Sequence, residues 1–396
     1  MMISNRVLKL KSSATLAAAA KAKELEEKGI EILNLALGEP DFETPINIRK
    51  AAIASIESGR ASFYTPVAGE KELIEAVISR TKEDYGLDYK LNEVVVGTGA
   101  KFILFILFQA ILNEGDEVIM PSPYWVSYSE QVELCEGTPV FVEGKEDNHF
   151  KVTVEDLEKA TTKKTKAFIL NSPCNPTGAI YTREELEKIG KWAVKHNILL
   201  VADDIYGKLV YNGNVFTPIA TLSEEIKKQT IIINGVSKSY AMTGWRMGYA
   251  LGDSSIISQM IKIASQATSN LTAVTQYAAI EALTGDQQQV EEMRQVFEKR
   301  LNHVYDRVSE IPGFKIDKPQ GAFYLYPDIS ECLVLCGYDN VTNWVNDLLE
   351  EAHVSVVTGE GFGTNKHIRL SYATDLDTLN SAIDQIVAFV DKKQNK

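Results

Sequence analysis

Between about residue 90 and residue 255 the apolar positions of this chain fall into short, mostly β-branched runs, and beyond that into longer helical repeats. The runs are Val94–Val96, Val118–Met120, Val140–Val142, Ala167–Leu170, Ile198–Ala202, Ile231–Ile233 and Tyr249–Leu251. Helix-like segments separate most of them. Parallel strands need such crossovers and are buried on both faces, so the pattern predicts a largely parallel seven-stranded sheet with helices on each side. Phe102–Leu112 is the most apolar stretch, but Gln109 interrupts it and it is too short to span a bilayer. It reads as a core helix. Leu16–Ala20, flanked by lysines and followed by Glu24, Glu26 and Glu27, suits an amphipathic helix rather than a secretory signal.

The last third is patterned differently. Helical repeats over Asp286–Ile311, Thr342–Ala352 and Asp375–Asp391 flank short strand-like pieces at Ala322–Tyr326, Val354–Val357 and His367–Ser371. This predicts a smaller α+β domain formed by residues 1–40 and 285–396, beside a large domain over residues 41–284. No Gly/Ser linker marks the boundary, and no repeat or low-complexity stretch interrupts the chain.

Composition narrows the class. A chain of 396 residues with 45% apolar and 24% charged positions is that of a globular protein with a large core. A formal charge of −13 argues against a nucleic-acid partner. The four cysteines (Cys135, Cys174, Cys332 and Cys336) lack the spacing of a disulfide framework, and Cys332-x-x-x-Cys336 lacks a second half for zinc. Free thiols in a reducing cytoplasm, and no metal, are the expectation.

The polar residues just beyond the strands carry the chemistry, because ligands of open α/β sheets bind outside the carboxyl ends of the strands. Val94–Val96 leads into Gly97-Thr-Gly-Ala-Lys101 and then an apolar helix. That segment is either a tight strand-to-helix turn or a phosphate cradle at a helix start. Phe102 replaces the third glycine of a dinucleotide fingerprint, which disfavours a nicotinamide dehydrogenase. Ala167–Leu170 leads into Asn171-Ser-Pro-Cys-Asn-Pro-Thr-Gly178, and Ile198–Ala202 into Asp203-Asp-Ile-Tyr206. Asp203 is placed to be desolvated and to need a cation, or to cap a helix. Ile231–Ile233 leads into Asn234-Gly-Val-Ser-Lys238, with Arg246 eight residues beyond the lysine. Such an amine can form an imine with an aldehyde, and such a guanidinium can hold a phosphate. Trp125, in Pro121-Ser-Pro-Tyr-Trp125, is either core or a stacking surface. Arg369 breaks an apolar strand pattern and is either a surface pair or a carboxylate clamp.

Together, Asn175-Pro-Thr-Gly178, Asp203-x-x-Tyr206 and Ser237-Lys238 with Arg246 resemble the class I aminotransferases of fold type I, which depend on pyridoxal 5′-phosphate (PLP). The similarity runs from Ser12-Ser-Ala-Thr15 through Leu35-Ala-Leu-Gly-Glu-Pro-Asp41 to Arg369-Leu-Ser-Tyr-Ala373. It implies that Lys238 holds PLP covalently and shuttles the proton, and that Asp203 pairs with the pyridinium nitrogen. It implies that Asn175 and Tyr206 hydrogen-bond the phenolic oxygen and that Trp125 stacks on the ring. Arg246, Ser237 and the N–H groups of Gly99, Ala100 and Lys101 would bind the phosphate, with Tyr64 reaching the partner subunit's phosphate in a homodimer. Arg369 would clamp the substrate α-carboxylate beside Gly38, Asn175 and Trp125.

The chain is most similar to the bacterial aspartate aminotransferases of subgroup Iγ. There a lysine after the glycine loop and polar groups near the N-terminus recognise dicarboxylates, here Lys101, Ser13 and Thr15. Cys174 stands where relatives often carry Asn. The implied reaction is ping-pong transfer from L-aspartate to 2-oxoglutarate in the cytoplasm. Relatives acting on prephenate or aromatic amino acids, and PLP β-lyases, share the same residues. A PLP-binding transcription regulator is disfavoured, because the similarity leaves no room for a DNA-binding domain.

Overall fold

A computed structural model describes residues 2–10 and 14–395, and of residues 14–19 the backbone alone. All seven apolar runs are strands of one sheet. They are β1 (Val94–Gly97), β2 (Glu117–Ser122), β3 (Thr138–Glu143), β4 (Thr165–Asn171), β5 (Leu199–Asp203), β6 (Thr230–Gly235) and β7 (Gly248–Leu251). The order across the sheet is β1-β7-β6-β5-β4-β2-β3. Five neighbouring strands pair in parallel, while β7 runs antiparallel to both β6 and β1. The sheet is therefore mixed, and six of its strands point their carboxyl ends the same way.

Burial explains why the runs read as uniformly apolar. Ile231, Ile232 and Ile233 on β6, and Leu200, Val201 and Ala202 on β5, are all buried. Apolar clusters lie on both faces of the sheet. One is capped by the helix Ala100–Ile111, whose Ile103, Leu104, Ile106, Leu107 and Phe108 are inaccessible. The expected N-terminal helix spans Ala14–Glu26.

The C-terminal third builds its own core. The helices Gln288–Ser309, Val341–Ala352 and Leu376–Gln394 enclose Phe297, Phe323, Trp344 and Phe389. A three-stranded antiparallel sheet sets Ile368–Ser371 between Val357–Thr358 and Tyr324–Leu325, and Leu33–Asn34 pairs in parallel with Val354–Ser355. In this small sheet Arg369 lies opposite Val357, and Ser371 opposite Tyr324.

Candidate active site

The register of the large sheet brings its polar termini level. Asn171 of β4 pairs with Asp203 of β5, and Asp203 pairs with Ile233 of β6. Lys238 follows β6 after one turn of chain. Beyond these ends lies a cavity of about 480 Å³, lined by Gly38, Ala100, Lys101, Trp125, Asn175, Asp203, Tyr206, Ser237, Lys238, Arg246 and Arg369, among others. Eleven of the residues singled out in the sequence thus line one cavity. Gly99 flanks it. Tyr64 is 93% exposed and lies off the lining. Ser13 and the side chain of Thr15 lie outside the described residues.

Asp203 is buried at the end of β5. Its Oδ2 accepts from the Tyr128 hydroxyl at 2.6 Å and its Oδ1 from the Ile205 N–H at 3.3 Å. Turn residues follow it rather than a helix, so it does not cap one. Burial pushes its carboxyl up to about 6, against the pull of Tyr128, the Ile205 amide and the Lys238 charge. A buried carboxylate in this state gains from a cationic partner in the cavity.

Lys238 is half-buried, and its amine donates to the Gly38 carbonyl. Burial lowers it to about 8. Arg369 and Arg246 push in the same direction, while Glu39 and Asp203 oppose. Near neutrality a usable fraction is the free amine, the form that attacks a carbonyl.

Arg369 is buried and lies between two rings, its Cζ 4.3 Å from the Tyr324 centroid and 5.0 Å from that of Phe362. Nη1 donates to Asn175 Oδ1 at 3.0 Å and Nη2 to the Ala36 carbonyl at 2.8 Å. Nε is buried without a partner. A guanidinium has five N–H groups, so about three remain for a carboxylate. Burial lowers the Arg369 pKa, and the nearby tyrosines oppose this.

The opposite end of the cavity suits a phosphate. Gly99 has φ +84°, a backbone that side chains avoid, and a Cβ there would strike the Arg246 guanidinium. The absence of a side chain thus lets Arg246 approach the N-terminus of helix Ala100–Ile111. Arg246 is itself left-handed at φ +57° and donates through Nη1 to the Thr243 carbonyl at 2.9 Å. Lys101 sits over the Trp125 ring at 4.9 Å, its pKa lowered by burial and by Arg246.

Several lining residues escaped the sequence reading: Tyr128, Asn171, Tyr324, Glu39 and Thr243. Asn171 donates to the Asp203 carbonyl at 3.0 Å and accepts from the Asn175 N–H at 2.9 Å, fixing the turn that carries Asn175. Tyr128 stands three residues after Trp125, and that one-turn spacing is the available signal.

An amine, a buried carboxylate, an aromatic face, an anion cradle and an arginine with a free edge match, group by group, the aldehyde, pyridinium, ring and phosphate of PLP and the carboxylate of an amino acid. The site and the sheet define a fold type I PLP enzyme. The profile of the family described as "Aminotransferase class I and II" matches residues 30–386. The chain belongs to that family and is a PLP-dependent aminotransferase.

It is similar to an asparagine–oxo-acid transaminase of Streptococcus mutans, 56% identical over 98% of this chain and 99% of the relative. An aspartate aminotransferase of Bacillus subtilis is 51% identical over 99% of this chain and all of the relative. The structure of a Thermus thermophilus aspartate aminotransferase with maleate superposes with a TM-score of 0.93 at 39% identity, covering 98% of this chain and all of that one.

Proposed function

We propose that the enzyme moves the amino group of L-aspartate to 2-oxoglutarate by a ping-pong mechanism, in the cytoplasm, with L-glutamate and oxaloacetate as products. The observation that carries the substrate choice is Lys101. Its ammonium shares a cavity with Arg369, so a dicarboxylate finds one cation for each end. Asp203 keeps the cofactor nitrogen protonated, and the bound cofactor then acts as an electron sink. Tyr206 and Asn175 hold its phenolic oxygen. Arg246, Ser237 and the amides of Gly99–Lys101 hold its phosphate, and Trp125 covers the ring. Lys238 binds the cofactor and afterwards moves the proton at the substrate Cα. Residues 41–284 form the cofactor-holding domain, and residues 1–40 with 285–396 the domain that carries Arg369.

The homodimer belongs to this proposal. Tyr64 and Phe63 are strongly exposed next to a helix, Ile46–Glu57, that presents Ile46, Ile53 and Ile56 to solvent. An apolar patch of this kind fits an interface between copies, with Tyr64 reaching the partner's phosphate site.

A second reading is favoured by Glu39. Its carboxylate lines the same cavity and accepts from the Thr243 hydroxyl at 2.8 Å. An amide side chain can donate to it where a carboxylate is repelled, so L-asparagine stands beside L-aspartate as a donor. The test is the visible spectrum of the PLP-loaded protein before and after each amino acid, without a keto acid. Loss of the yellow band to the pyridoxamine form with L-aspartate is expected. A band that L-asparagine alone converts favours the second reading. One that neither converts refutes both.

A further inference from the structure

Tyr324 belongs to neither the strand-end motifs nor the glycine loop, yet it touches both Tyr206 and Arg369. It is buried on the short strand Tyr324–Leu325, opposite Ser371 and two positions from Arg369. Its hydroxyl lies 2.9 Å from that of Tyr206. Its ring face lies under the Arg369 guanidinium at 4.3 Å. A Cβ at Gly38 would come within 2.8 Å of the Tyr324 hydroxyl, so Gly38 leaves the room this oxygen occupies.

We infer that Tyr324 is a positioning residue that couples the two halves of the site, holding the Tyr206 hydroxyl in line and supporting the Arg369 guanidinium. The inference rests on the proposed roles of Tyr206 and Arg369. A phenol has one proton to donate. If Tyr206 spends it on the cofactor's phenolic oxygen, the Tyr206–Tyr324 contact is a bond that Tyr324 donates. A donor behind a donor strengthens the forward bond, because hydrogen bonds in series polarise one another. The ring contributes separately. A guanidinium between two aromatic faces is held in a plane, which suits two-point recognition of a carboxylate. Removing the hydroxyl and removing the ring therefore perturb different measurements.

The experiment compares Tyr324→Phe, Tyr324→Leu, Tyr206→Phe and the double variant Tyr206→Phe/Tyr324→Phe, each loaded with PLP. The first readout is the pH midpoint of the cofactor's visible band, which needs no turnover. Tyr206→Phe is expected to raise it, Tyr324→Phe to raise it by a smaller step, and the double variant to match Tyr206→Phe. The second readout is the steady-state split. Tyr324→Phe should leave KM for L-aspartate and L-alanine within about twofold, and Tyr324→Leu should raise both about fivefold or more, as loss of one cation–π face implies.

A midpoint that moves in Tyr206→Phe but not in Tyr324→Phe overturns the coupling while leaving Tyr206 in its role. A midpoint that moves in neither overturns the Tyr206 reading and the coupling with it. An undiminished Tyr324→Phe shift in the Tyr206→Phe background also overturns the coupling, and an unchanged KM in a folded Tyr324→Leu overturns the support of Arg369. Should the Leu variant not fold, the three Phe variants still decide the hydrogen-bond half.

Discussion

Tyr128→Phe removes one oxygen from the second layer of the cofactor site, and its effect can be worked through. The hydroxyl donates to Asp203 Oδ2 at 2.6 Å, and both side chains are buried. Without it the carboxylate keeps only the longer Ile205 N–H contact at 3.3 Å and the field of Lys238. A hydrogen bond to a buried charge contributes about 1.5–3 kcal/mol, and about 1.4 kcal/mol is one pKa unit. Asp203 in the cofactor-free protein, already pushed up to about 6 by burial, should therefore rise by about one to two units.

PLP with a protonated ring nitrogen needs the ionised carboxylate, so its apparent affinity falls by the fraction of protein that is not ionised. From these pKa values, PLP should bind Tyr128→Phe about 2- to 10-fold more weakly at pH 7 and about 6- to 50-fold more weakly at pH 6, with the curves merging near pH 9. The cofactor-free variant should lose about 1.4–2.7 kcal/mol of stability at pH 9, where its carboxylate is charged without its donor, and only about 0.4 kcal/mol at pH 6, where the carboxyl is protonated instead. Equilibrium dialysis of PLP against both proteins from pH 6 to 9, with a melting curve at each pH, measures this directly. A loss of affinity that is the same at pH 6 and pH 9 would refute the reasoning, since a purely steric effect has no pH dependence.

The remaining expectations can be stated together. Lys101→Ala should lower kcat/KM for L-aspartate by about 10- to 100-fold, the loss of one charge-assisted contact, while L-alanine stays within about threefold; equal losses in a two-substrate assay would remove Lys101 from distal recognition. Gly99→Ala places a Cβ against Arg246 at a backbone angle that side chains avoid, and should weaken PLP binding about tenfold or more; an unchanged PLP titration would refute the cradle. His367 is buried against Glu146, Asp328 and Lys366, and burial lowers it to about 4. Its folded value lies below its unfolded one, so the unfolded chain takes the proton first and stability falls as pH drops below about 6.5. That amounts to about 2 kcal/mol at pH 5. His367→Gln should flatten the melting temperature between pH 7.5 and pH 5, and an unchanged slope would refute the assignment.

What was legible in the sequence is what a single strand end can carry. Asp203, Lys238 and the Asn175 turn each follow an apolar run buried on both faces, so the period-free runs announced the strands and their ends announced the site. Gly99 and Arg246 were legible for a related reason: a glycine between strand and helix, and a cation placed a fixed distance beyond the lysine. β7 was found as a strand but not as the antiparallel one, because strand direction depends on how the connection crosses the sheet and not on composition.

Tyr128, Asn171 and Tyr324 escaped because each acts across elements remote in sequence. Tyr128 reaches Asp203 from 75 residues away, and Tyr324 reaches Tyr206 from 118. A buried tyrosine has the same sequence signature whether its hydroxyl meets a carboxylate in the cavity or a backbone carbonyl, as Tyr211 meets that of Ala322. Motifs therefore locate the groups that line the cavity. The groups that set their pKa and orientation appear only once the chain is folded, and here two of the three are tyrosine hydroxyls whose removal leaves every motif intact.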